Sequence, residues 1–149
     1  MSKSDAAESD LLKLLFNNTT WANVGDATGI VGSGGAGSLY VSLHTADPGD
    51  PGNQTTSEAT YTNYARVAVA RSGAGWTVSG TSPTQAANAA LVSFPQSGGT
   101  ANTLTFFGIG KSSSGAGELL YSGPLSASLI VNNLETPEFP IGTLIVTED

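Results

Sequence analysis

The segment Leu39-Tyr-Val-Ser-Leu43 alternates without a break, placing Leu39, Val41 and Leu43 on one face and Tyr40, Ser42 and His44 on the other. A period of two is the mark of a half-buried β-strand, because successive side chains point to opposite faces of a sheet. Runs of this kind recur along the chain at Tyr61 to Ala70, Trp76 to Val78, Ala90 to Phe94, Thr103 to Ile109, Leu119 to Ser122, Leu129 to Val131 and Thr143 to Thr147. Turn-forming groups such as Asp47-Pro48-Gly49 and Ser72-Gly73 separate them. About eight short antiparallel strands at such spacing predict an all-β fold, a β-sandwich or jelly roll, over residues 39–149. No internal repeat is present, which argues against a solenoid or a long fibre shaft.

Residues 1–38 read differently. Asp5 and Glu8 form an Asp-x-x-Glu capping pattern ahead of Leu11, Leu12, Leu15 and Phe16, which fall on one helical stripe, so a short helix is expected from Asp5 to Asn18. A helix this short is marginal alone, and its stripe must bury against the β-body or against another subunit. The following stretch is rich in Asn, Thr and Gly and ends in Gly29-Ile-Val-Gly-Ser-Gly-Gly-Ala-Gly37, the composition of a flexible tether, with Trp21 as an anchor within it.

A chain of 149 residues has room for one domain of ordinary size. Charged residues make up 11% of it, against roughly 25% in typical soluble domains, and such low-charge surfaces pack closely against neighbours. The net charge is -7, and Lys3, Lys13, Arg66, Arg71 and Lys111 are dispersed without interleaved aromatics, so neither nucleic acid nor an acidic membrane is an expected partner. There is no cysteine, hence no disulfide, thiolate zinc site or cysteine nucleophile. The acidic start Met-Ser-Lys-Ser-Asp-Ala-Ala-Glu does not resemble a signal peptide, and synthesis in a cytoplasm is expected.

Residue patterns that suggest chemistry are incomplete. Gly32-Ser-Gly34-Gly-Ala-Gly37 spells a dinucleotide fingerprint, but a loop precedes it and a strand follows, the reverse of what a pyrophosphate site requires. Gly110-Lys111-Ser112 lacks the earlier glycine of a phosphate loop and reads as a hairpin turn. His44, the only histidine, stands three residues before Asp47 and is the sole candidate base or imidazole ligand, yet no nucleophile elbow accompanies it. Asp47, Asp50 and Glu58 lie in a long polar loop that lacks the regular ligand spacing of a calcium-binding loop. No catalytic residue, cofactor or metal is therefore assigned. Trp21, Trp76, Tyr40, Tyr61, Tyr64 and Tyr121 are spaced along the chain as core or interface anchors, with sugar stacking as the rival role.

Leu39 to Gly49, Leu-Tyr-Val-Ser-Leu-His-Thr-Ala-Asp-Pro-Gly, followed by Tyr64-Ala65-Arg66, resembles a family of small tailed-phage virion proteins usually labelled tail fibre or minor tail proteins. The likeness continues in the N-terminal helix, in Asn88 to Pro95, Phe107-Gly108-Ile109, Leu119 to Gly123 and Gly142 to Thr147, and so covers most of the chain. It implies a β-sandwich virion component that is not an enzyme. Size, low surface charge and a tethered helix then favour a capsid decoration protein, binding the major capsid protein or other virion subunits. A homotrimer on the shell is expected from closed symmetry. Leu11, Leu12, Leu15, Phe16 and Trp21 are the expected assembly contacts, and a small tail fibre that attaches to host-surface glycans is the alternative.

Overall fold

A computed structural model describes residues 2–148 and contains one helix and nine strands. The all-β class expected from the alternation is what it has, with every registered strand pair antiparallel and one short helix at the N-terminal end. The chain divides into two units. One comprises residues 1–38, 70–91 and 139–149, the other residues 39–69 and 92–138.

The first unit is built around helix α1 (Asp5–Asn17). Ser4, not Asp5, is its N-cap: the Ser4 side chain accepts from the Ala7 N–H at 3.3 Å, with Asp5 and Glu8 in the first turn where the helix dipole favours acids. Asn18 ends the helix in the left-handed conformation, and the Thr19 N–H reaches the Lys13 carbonyl. The last turn has no basic residue of its own. Arg71 takes that role, donating to the carbonyls of Leu14 and Leu15 at 2.7 Å each and to Ser33 Oγ at 2.9 Å.

Glu8, Leu12 and Phe16 form the buried line of α1, and Leu11 and Leu15 flank it half-buried. The line lies on a three-stranded sheet of β3 (Trp76–Ser79), β4 (Thr84–Asn88) and β9 (Ile145–Glu148), in the order β3-β4-β9. The Phe16 ring meets Trp76 edge-on at 4.8 Å. Strand β4, Thr-Gln-Ala-Ala-Asn, has no branched apolar residue to announce it, yet Thr84, Ala86 and Asn88 alternate inward. The glycine-rich stretch carries hydrogen bonds of its own. Trp21 and Ile30 exchange backbone bonds at 2.9 Å, and the Asn18 side chain clasps the Ser33 backbone on both its N–H and C=O at 2.8 Å. Glycine is needed there, since a Cβ at Gly29 would lie 2.1 Å from the Trp21 oxygen and one at Gly32 2.3 Å from that of Asn18.

The second unit holds the sheet β2-β1-β6-β7, formed by β1 (Ser38–His44), β2 (Val67–Ala70), β6 (Asn102–Gly110) and β7 (Leu119–Val131), apart from the end residues Ser38 and Ala70. Leu39, Val41, Leu43, Tyr61, Phe94, Leu104 and Ile109 make its core. The two short apolar runs expected at Leu119 and Leu129 are one strand: Gly123 and Pro124 read as a break, but proline is admissible where a strand lies at a sheet edge. Between Leu129, opposite Leu104, and Pro124, opposite Phe106, residues 125–128 face Thr105 alone, an irregular outward excursion of the edge strand. A short pair, β5 (Val92–Ser93) and β8 (Glu138–Phe139), completes the strands.

Candidate functional site

The polar residues with chemical potential gather at the end of β1. Alternation predicts an outer face for Ser42 and His44, but both are fully buried, at 0% exposure. His44 Nδ1 lies 2.8 Å from the Thr56 carbonyl oxygen, which can only accept, so Nδ1 carries the proton. Nε2 is then the acceptor, 2.8 Å from Ser42 Oγ, which donates. Burial holds the imidazole pKa below its ordinary value, against the raising influence of the Thr56 hydrogen bond and of Glu58. Gly108, opposite Ser42 across the ladder, makes the room: a Cβ there would lie 2.6 Å from both Ser42 Oγ and His44 Nε2.

A serine donating to a neutral histidine has the form of an activated nucleophile. Here the pair is closed in, and neither residue lines the cleft at Asp50 and Tyr121 or the one at Leu129 and Pro137. What it does is fasten the loop that follows. Asp47 does not join His44; it is exposed and accepts from the Gly49 N–H at 2.9 Å, closing a turn.

Glu58 is separated from the loop acids as well. Arg66 grips its carboxylate with two bonds, Nε to Oε1 at 2.6 Å and Nη2 to Oε2 at 2.8 Å, and the Tyr64 hydroxyl donates to Oε1 at 3.1 Å while accepting from the Leu43 N–H. Burial above all pushes the Tyr64 hydroxyl pKa well above its ordinary value. Arg66 also reaches the carbonyls of Ser112 and Gly115, in the hairpin loop 111–118 between β6 and β7. Gln54, fully buried, accepts from the Ser112 N–H at 2.9 Å, so the loop after β1 and the hairpin loop are held together. Ser42, Gln54, Glu58, Tyr64 and Arg66 have no role that spacing alone reveals. The only sign of them in the sequence is that Tyr64-Ala65-Arg66 accompanies Leu43-His-Thr-Ala-Asp-Pro-Gly49.

The expected assembly contacts are distributed between core and boundary. Leu12 and Phe16 are fully buried, Leu11, Leu15 and Trp21 half-buried. The large apolar side chains that do face solvent lie elsewhere: Val24, Ile30, Val31, Leu91, Ile141 and Ile145 in the first unit, and Leu129, Ile130 and Leu134 in the second. Among the described residues no three His, Cys, Asp or Glu side chains converge as a metal site would require. Among the described residues no helix is long and apolar enough to cross a membrane.

Compared with known protein families, residues 2–147 match the family described as Podophage GP4 fiber I protein gp80. No curated protein matches the chain.

Proposed function

The chain belongs to the podophage GP4 fiber I protein gp80 family, and on that footing we propose that it is a non-enzymatic structural component of a tailed-phage particle, part of a fibre at the tail that serves attachment to the host surface. The observation that supports this is the extent of the match, which takes in α1 and every strand but for the last residue of β9. Position on the capsid shell is less well supported. That reading needs a helix stripe free for a neighbour, whereas Leu12 and Phe16 lie inside the chain against its own sheet.

The buried Ser42–His44 pair suits the same role. A fibre subunit works by keeping its shape while its surface makes contacts, and the network from His44 to Arg66 stiffens the largest loop of the second unit. Gold-labelled antibody imaging of intact virions tests the proposal. Label at the tail is expected, and label spread evenly over the head would overturn the fibre assignment in favour of shell decoration.

A further inference from the structure

Of the three acids in the loop after β1, two are occupied within the chain. Asp47 closes a turn with the Gly49 N–H, and Glu58 is gripped by Arg66. Asp50 is exposed, and its carboxylate meets no donor or cation among the described residues. It stands at the corner of a tight turn, in which the Gly52 N–H donates to the Gly49 carbonyl at 3.0 Å and Pro51 restricts the backbone. Gly52 has to be glycine, since a Cβ there would lie 2.2 Å from the Pro48 carbonyl oxygen. No contact within the fold explains a carboxylate held out in this way.

The turn forms one wall of a cleft of about 300 Å³, and the first four residues of β7, Leu119 to Ser122, form the other. Both walls are tied to the buried network. Gln54, just past the turn, donates its N–H to the Gly117 carbonyl and accepts from the Ser112 N–H with its side chain, both at 2.9 Å. Arg66 joins the carbonyls of Ser112 and Gly115 to Glu58. The loop carrying Asp50 and the hairpin leading into β7 are thus held at a fixed separation, and a ligand entering between them spends little on ordering the protein. We propose that this cleft binds one neutral sugar unit of a host-surface glycan, with the Asp50 carboxylate accepting from adjacent sugar hydroxyls, Ser122 adding a hydroxyl and Tyr121 an aromatic face.

The groups on the walls select the ligand. One carboxylate is too few oxygens for a calcium ion. Phosphates and acidic sugars are disfavoured, because Asp50 is the only charged side chain lining the cleft and the chain as a whole carries a net charge of -7. A neutral sugar ring suits what remains: its hydroxyls donate charge-assisted hydrogen bonds to a carboxylate, and its C–H face packs on an aromatic ring. Strand β7 lies at the edge of its sheet, so the backbone groups on its outer side are paired with no other strand and are free for further hydroxyls. The cleft lies at the small end of small-molecule sites, which fits a single ring.

This inference rests on the attachment reading for its biological sense, but the cleft is testable on the purified full chain. Isotope-labelled protein is titrated by NMR with the methyl glycosides of glucose, galactose, mannose, rhamnose and N-acetylglucosamine, and with that of glucuronic acid as the anionic counterpart. At least one neutral glycoside is expected to bind with a Kd of about 1–10 mM, and glucuronate about tenfold more weakly or not at all. The amide shifts are expected to centre on residues 49–52 and 119–122. Asp50→Ala, in an exposed turn, and Tyr121→Leu, which keeps an apolar side chain in place, are each expected to weaken binding about tenfold or more with a native thermal midpoint. Absence of binding by every neutral glycoside up to about 50 mM, shifts centred elsewhere, preference for glucuronate, or a folded Asp50→Ala chain that binds as the wild type does would overturn the proposal. Tail labelling of virions with a chain that binds no sugar would leave the fibre reading intact while removing this one, and head labelling with a sugar-binding cleft would do the reverse.

Discussion

Asn88 is buried at the end of β4, and its side chain holds three separate pieces of backbone. Its Nδ2 donates to the carbonyls of Ala90, Phe139 and Pro140, at 2.8, 3.3 and 2.9 Å, and its Oδ1 accepts from the Leu144 N–H at 2.9 Å. Asn88→Ala would leave these groups without partners in a site that excludes water. It is expected to lower stability by about 3 kcal/mol, read from urea unfolding, and Asn88→Asp is expected to be as damaging because it removes the donors. His44 gives a pH signature. Its folded pKa is below the ordinary value, so the unfolded state takes up the proton more readily, and the stability it contributes is complete above about pH 6.5 and lost as pH falls below it. In that falling limb the wild type should lose up to about 1.4 kcal/mol per pH unit from this group alone. A His44→Gln variant should lack that part of the slope when both are unfolded by urea at pH 7.5 and 5.5. None of this was legible from one sequence, because burial of His44 depends on Gly108 and Thr56, which are distant along the chain.

At the scale of elements, the strands readable in advance as short apolar runs are β1, β2, β3, β5, β6, β9 and both halves of β7. Strand β4 was not, since its inward residues are Thr84, Ala86 and Asn88, and a small alternating face looks like a loop until a helix is seen lying on it. The interruption at Gly123-Pro124 concealed the unity of β7 because the rule against proline in strands is a rule about central strands. The helix was legible in position and in its stripe, but not in what covers it. Since Phe16 is fully buried against Trp76, Phe16→Ala is expected to cost about 3–5 kcal/mol in thermal or chemical unfolding. Arg71→Ala should cost about 2 kcal/mol by uncovering the last carbonyls of α1, with Arg71→Lys restoring only part, because a single ammonium cannot span Leu14, Leu15 and Ser33 together.

For the molecule as a whole, composition leads to an expectation of contact rather than chemistry, and the match over residues 2–147 places the chain in a phage fibre family. What composition could not give was the location of the contacts, because helical periodicity describes a stripe equally well whether the chain or a neighbour buries it. The way the units are assembled also sets an order of events during synthesis. Helix α1 is made before the strands it lies on, the sheet beneath it closes only when β9 pairs with β4, and Lys3 finds Glu148 at 2.7 Å only then. Leu12 and Phe16 therefore wait, uncovered, at least until β3 brings Trp76 to Phe16, and nascent chains made side by side are exposed to one another over that interval.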